Sequence, residues 1–126
     1  MTIQPIEGRF TVCQVSDPAL IDWTKPFTFA ARTDQELSLV CKTADAPEHT
    51  IRREDGWRAF RICGPLDFSL VGVLAGIASI LAEERISIFA VSTYDTDYVL
   101  VREERFGKAL NALRSRGYDA KEECAQ

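Results

Sequence analysis

The second half of this chain switches repeatedly between strand and helix hydrophobic periods, and that rhythm leaves few folds open to it. Residues 57–63 (WRAFRIC) alternate apolar and charged side chains at period two, the pattern of a half-buried strand, and stop at the Gly64-Pro65 breaker. Over residues 70–84 the period lengthens to that of a helix. Leu70, Leu74, Ile77 and Leu81 recur on one face, widened by Val73, Ala78 and Ile80, with Ser69 placed to cap the first turn. Residues 86–92 return to β-branched and aromatic side chains, residues 93–97 turn the chain, and residues 98–102 supply a third strand. A stripe of Phe106, Leu110 and Leu113 predicts a second helix that stops near Gly117, a residue suited to the left-handed position after a helix. Residues 118–122 can form a short last strand.

The order β-α-β-β-α-β is the split βαβ, or ferredoxin-like, arrangement. It predicts an α+β fold with an antiparallel sheet and both helices on one face. The first half repeats the theme in reduced form. Residues 10–15 read as a strand, Asp17-Pro18 opens a short helical turn reaching Trp23, and residues 27–32 and 36–42 form a hairpin across Thr33-Asp34-Gln35. The polar segment 43–55, with Ile51 its single clear apolar position, predicts a short helix or loop. The expected organisation is two tandem modules, a shortened one over residues 1–56 and a full one over residues 57–126.

Composition narrows the function classes. The 126 residues are 46% hydrophobic and 27% charged, with a net charge of −4, which describes a folded chain without the concentrated Lys/Arg face that binding to nucleic acid requires. No stretch approaches the roughly 18 unbroken apolar residues of a membrane span, and residues 1–7 lack a basic and apolar leader pattern. Neither nucleic acid nor membrane is expected as a partner. The four cysteines, Cys13, Cys41, Cys63 and Cys124, form no C-x-x-C pair, and His49 is the one histidine. That spacing disfavours zinc, and no metal or other cofactor is expected. Three of the thiols lie in apolar strand-like runs, where cysteine behaves as a small buried hydrophobe. Reduced cysteines and a cytoplasmic location are the expectation.

Three features could carry chemistry, each with a structural alternative. The loop from Gly64 through Asp67, Phe68 and Ser69 runs from a strand into a helix start, where free amide N–H groups and the helix dipole attract a carboxylate, and Gly72 permits close approach. Asp67 there suits a zwitterion, whose ammonium it can pair with. A routine strand-to-helix connection is the alternative. The segment Ser92-Thr93-Tyr94-Asp95-Thr96-Asp97-Tyr98 is dense in donors and acceptors, yet it lacks the EF-hand pattern and a histidine neighbour, so a solvated turn competes with a binding role. The third feature, Gly72 and Gly76 in a G-x-x-x-G, is read as close helix–sheet packing. No nucleophile elbow, P-loop or dinucleotide fingerprint is present, and an enzyme using Asp95 or Asp97 as a base has no evident partner nucleophile.

These residues carry a specific resemblance. The run 67–110, with its G-P-L-D-F-S loop, G-V-L-A helix and S-T-Y-D-T-D-Y turn, resembles the ACT domain of small bacterial proteins similar to the CASTOR arginine sensors and to the regulatory ends of aspartokinases. The first half resembles the same proteins through its F-T-V-C start and its R-T-D-Q-E-L-S-L-V-C hairpin. The resemblance implies tandem ACT modules that bind a free amino acid at an ACT–ACT interface and regulate a separate protein without catalysis. By position, Asp67, Phe68, Ser69, Leu70, Val71 and Gly72 would hold the ligand's carboxylate and ammonium. Ile88, Phe89, Ala90, Val91 and Ser92 would face it with main-chain groups, and Thr93, Tyr94, Asp95 and Asp97 would meet its side chain. Two carboxylates at that end favour a cationic ligand such as lysine or arginine. A homodimer would bring four modules together. An interaction module that joins a partner through its sheet edges, with no small-molecule ligand, is the competing expectation.

Overall fold

The computed structural model describes residues 1–64 and 71–124. It divides into two compact units, one made of Met1–Glu7 with Arg58–Gln126 and the other of Gly8–Trp57. Strands β1 (Thr2–Gln14) and β4 (Arg52–Ile62) each pass from one unit into the other. Both are longer than periodicity predicts, because residues 2–9 and 52–56 carry too little apolar alternation to announce a strand.

In the larger unit, β4 is followed by α1 (Val73–Glu83), β5 (Phe89–Ser92), β6 (Asp97–Arg102), a 3₁₀ turn (Glu103–Arg105), α2 (Phe106–Ser115) and β7 (Asp119–Ala120). Its strands lie in the order β5-β6-β4-β1, with β7 on the far side of β1. The β5–β6 hairpin is antiparallel, whereas β7 pairs parallel to β1, Thr2 opposite Asp119 and Ile3 opposite Ala120. This is the ferredoxin-like order with the chain's first residues inserted between the module's first and last strands. Ile3, Phe60, Ile62, Val99 and Val101 from the sheet pack with Ile77, Leu81, Phe106, Ala109 and Leu113 from the helices in one buried core.

The helix ends follow from their residues. α1 starts at Gly72, whose φ of 79° is the left-handed conformation that glycine adopts without steric cost, and no side chain among the described residues caps it. The helix therefore starts three residues later than the apolar stripe predicts. The predicted cap, Ser69, lies outside the described residues. α2 ends as expected at Gly117, where the amides of Gly117 and Tyr118 donate to the carbonyls of Arg114 and Leu113 at 3.1 and 3.0 Å. Gly76 is the second residue of the small-residue motif, and a Cβ there would meet the Tyr118 hydroxyl at 3.3 Å, a close approach to the link between α2 and β7.

The smaller unit has the same element order without its helices. The second part of β1 leads into a 3₁₀ turn (Pro18–Leu20), then β2 (Phe29–Arg32), β3 (Leu37–Lys42), a second 3₁₀ turn (Thr43–Asp45) and the first part of β4. Asp17 accepts from the Ala19 amide at 2.9 Å and starts the first turn, but Pro26 and the polar run after Ile21 give no stripe for a longer helix. A small core of Cys13, Val15, Ile21, Leu37, Leu39 and Cys41 remains.

The cysteines need one correction. Cys13 and Cys41 are buried free thiols, but Cys63 and Cys124 form a disulfide with Cα atoms 5.3 Å apart. The segment after β7 runs beside the start of β1, with amides of Asp119 and Lys121 on the carbonyls of Met1 and Ile3 at 3.0 Å, and the Cys63 amide binds the Thr2 carbonyl at 2.9 Å. Three segments distant in sequence thus bring the two sulfurs together, which spacing along the chain could not reveal.

Candidate functional site

The site is built where three segments of the larger unit meet: the end of β4, the β5–β6 turn, and the segment after β7. An open pocket of about 220 Å³ lies there, lined by Arg61, Ile62, Gly64, Asp95, Thr96, Tyr98 and Cys124. The turn is fixed by threonines. The Thr93 amide donates to the Thr96 carbonyl at 2.9 Å, and the buried Thr96 hydroxyl donates to the Ile62 carbonyl at 2.6 Å, anchoring the turn to β4. Thr96 is thus a structural hydroxyl whose anchoring leaves Asp95 at the pocket wall.

Period two puts Arg58 and Arg61 on opposite faces of β4. Arg58 lies over the Phe106 ring, 4.4 Å from its centroid, on the helix side. Arg61 lies on the other side, donating from Nε to Gln4 Oε1 at 2.8 Å and from Nη1 to the Tyr98 hydroxyl at 3.1 Å. The pocket therefore combines a guanidinium, a phenol and a carboxylate. Charges of both signs at one rim suit a zwitterion or a ligand with separate cationic and anionic ends.

The sequence-predicted residues divide into three groups. Asp95 lines this pocket, and Asp97 does not join it as a free carboxylate because it accepts from the Ser92 hydroxyl across the hairpin. Val71, 90% exposed, and Gly72 stand at the start of α1. Along the edge strand, Phe89 and Val91 are half-buried while Ala90 and Ser92 are exposed; Ile88 packs against the core, and Tyr94 at the turn tip is 82% exposed. Asp67, Phe68, Ser69 and Leu70 lie outside the described residues. Gly64, Thr96 and Tyr98 belong to the loop and the polar turn singled out from sequence, though without a ligand role, whereas Arg61, Ile62 and Cys124 were not read as site residues. The alternation in residues 57–63 does imply that its two arginines face opposite ways, but not what Arg61 meets.

Among the described residues no three His, Cys, Asp or Glu side chains gather closely enough to hold a metal ion. His49 is exposed and belongs to the smaller unit. Burial raises the Cys13 thiol pKa and pushes that of Cys41 up to about 12, so neither presents a thiolate at neutral pH.

The sequence pattern of the ACT domain matches residues 52–115, just over half of the chain. The chain belongs to the ACT-domain family. The chain is similar to part of the cytosolic arginine sensor for mTORC1 subunit 1 of Homo sapiens, 41% identical over 61 residues that are 48% of this chain and 18% of the human protein. The chain thus spans under a fifth of that relative. Over nearly its whole length the fold is similar to protein Atu0741 from Agobacterium tumefaciens, with a TM-score of 0.84, 31% identity and coverage of 95% and 91% of the two chains. It is also similar to the regulatory subunit of aspartate kinase from Thermus thermophilus, TM-score 0.63 over 90% of this chain and 95% of that one, where 12% identity makes the likeness one of fold. The ACT domain of this chain contains β4 to α2, and so includes the β5–β6 turn and its Asp95. No helix among the described residues is long and apolar enough to cross a membrane.

Proposed function

We propose that this chain is a non-catalytic regulatory protein that binds a free amino acid through its ACT domain and acts on a separate protein in the cytosol. The observation that carries the reading is the 41% identity, over 61 residues of this chain, to a protein named for sensing arginine. The pocket chemistry agrees with it, since Arg61 and Asp95 offer both a cation and an anion at one rim. In this reading the two units are a full and a shortened ACT module, and a homodimer brings four together. The ligand lies at an ACT–ACT interface, with Asp67 through Gly72 taking the α-carboxylate and ammonium. Asp95 faces a cationic side chain, which favours arginine or lysine.

A thermal-shift screen of the purified protein against the common amino acids tests this. A ligand that binds only the native state stabilises it by about 2.7 kcal/mol at a hundredfold excess over Kd. Arginine or lysine should raise the Tm, and Asp67→Ala and Asp95→Asn should each abolish the rise with the circular dichroism spectrum unchanged. Silence with every amino acid at millimolar concentration would sink the reading.

A second reading has one observation in its favour. Strands β2 and β5 stand at the ends of their strand orders, and such edges can accept a partner's strand. That reading expects a null ligand screen and co-purification with another protein.

A further inference from the structure

The four cysteines form two pairs with opposite chemistry. Cys13 and Cys41 are buried, free and shifted toward the protonated thiol. Cys63 and Cys124 are oxidised and only half-buried, and Cys124 lines an open pocket. A disulfide within reach of solvent can be attacked by an external thiolate, whereas a thiol sealed in a core cannot attack anything. The disulfide also ends a zipper. Amides of Asp119 and Lys121 bind carbonyls of Met1 and Ile3, Gln4 Nε2 donates to the Glu122 carbonyl at 2.6 Å, and the S–S bond then joins the segment to the end of β4. β7 itself is only two residues long, and besides these bonds the packing of Ala120 against the core holds residues 119–124 beside β1.

We propose that Cys63–Cys124 is a reversible redox-modification site, opened by a dithiol reductant, whose state fixes or releases one wall of the pocket. The thiolate of a dithiol attacks one sulfur, the S–S bond breaks and a mixed disulfide forms. The second thiol of the reductant then displaces it. Two electrons and two protons pass to Cys63 and Cys124, and the reductant leaves as its own disulfide. Once reduced, Cys124 is held by the two-residue strand, the Ala120 contact with the core and a few hydrogen bonds, and the segment detaches. The pocket loses the Cys124 wall beside Gly64 and Asp95. In a cytosolic setting such a bond is transient and fits a sensing role better than a structural one. The coupling of redox state to ligand binding rests on the function proposed above, while the bond and its effect on residues 119–124 do not.

The test uses the full chain, oxidised in air or reduced with dithiothreitol. Thiol titration after denaturation should count two free thiols before reduction, from Cys13 and Cys41, and four after it. Amide hydrogen exchange at Asp119 and Lys121 should accelerate at least tenfold on reduction. Cys124→Ser should show the fast exchange in both conditions. L-arginine serves as the binding probe, and its Tm rise should differ between the two redox states of the native chain and not between those of Cys124→Ser. Four thiols in the air-oxidised protein, or exchange at 119–124 indifferent to reduction, would overturn the proposal. Arginine silence in both states, with the thiol counts and exchange rates as expected, would strike the ligand reading and leave the redox site standing.

Discussion

Hairpins β2–β3 and β5–β6 pair in the same register at positions sixty residues apart: Phe29 opposite Val40 and Arg32 opposite Leu37 in one, Phe89 opposite Leu100 and Ser92 opposite Asp97 in the other. Their turns close on the same bond, the Thr33 amide to the Glu36 carbonyl and the Thr93 amide to the Thr96 carbonyl, both at 2.9 Å. The side chains then diverge. Leu37 is buried and closes a core, whereas its counterpart Asp97 accepts from Ser92; Glu36 is exposed, whereas Thr96 is buried against β4. Gln35 corresponds to Asp95, the pocket carboxylate. One backbone device therefore serves as a plain turn in the first unit and as a pocket wall in the second. Backbone register is shared, and the few side chains beside the turn decide the use.

The units differ as much in what covers their sheets. The larger has helices of eleven and ten residues, and the smaller has two 3₁₀ turns of three residues in their places. With little apolar cover, the smaller unit depends on polar bonds. The fully buried Thr11 donates to Asp55 Oδ1 at 2.6 Å, and because a hydroxyl has one proton, Thr43 must donate to Thr11 across the 2.8 Å contact. Arg53 completes the group with Nε and Nη2 on the same Asp55 oxygen, at 3.1 and 2.9 Å, and with Nη1 on the Pro47 carbonyl at 3.3 Å. Phe10 meets Phe27 edge-on, with ring centroids 6.2 Å apart.

The contrast is most exposed to a pair of truncations. Phe60→Ala, beneath the helices, should destabilise by about 3–5 kcal/mol in urea titration, near the top of the range, and Phe10→Ala should fall near its bottom. Equal costs would break the claim that the missing helices leave a looser core. Reduction of Cys63–Cys124 is next. The bond spans a sequence separation of 61 residues, all within the helical unit's side of the chain, and chain entropy predicts a loss of about 4 kcal/mol at most, read as a lower urea midpoint. Thr11→Val keeps the shape and removes the hydroxyl, so it should cost about 1.5–3 kcal/mol, the worth of a hydrogen bond to a charged group. A neutral result would show that the smaller unit does not rely on this network.

The smallest effect is one of pH. The Thr11 hydroxyl, followed by Arg53, lowers the pKa of the Asp55 carboxyl below the ordinary aspartate value of about 3.9. A lowered native pKa means that the unfolded chain binds the proton first. The stabilisation is complete above the unfolded value and is lost as pH falls through the native one. Urea midpoints measured from pH 6 down to pH 2 should fall less steeply in Asp55→Asn than in the native chain. Identical slopes would remove Asp55 from the account.

Much of the fold was legible because helices and strands announce themselves locally. Ile77 and Leu81 recur at the helix period, Gly117 stops α2, and Thr33-Asp34-Gln35 and residues 93–97 turn their hairpins. Residues 2–9 were not legible as strand. Gln4, Glu7, Gly8 and Arg9 break the alternation, and the segment is extended because it has β4 on one side and, at its start, β7 on the other. Of the site, Asp95 could be singled out by its place in a polar turn. Tyr98 lies in the same turn, but its meeting with Arg61 could not be read, because it requires β4 beside β6.

Local residue patterns suffice for the element order, the helix-poor repeat in the first half, and the ACT resemblance, all of which rest on neighbours a few residues apart. Only the folded chain places residues 2–7 in the larger unit's sheet, ties Asp97 to Ser92 while Asp95 reaches the pocket, and bonds Cys63 to Cys124. The disulfide shows the physical reason most directly. A thiol's surroundings in sequence indicate how apolar it is, but a bond needs two Cα atoms 5.3 Å apart, and that distance is set by strand pairing between the two ends of the chain.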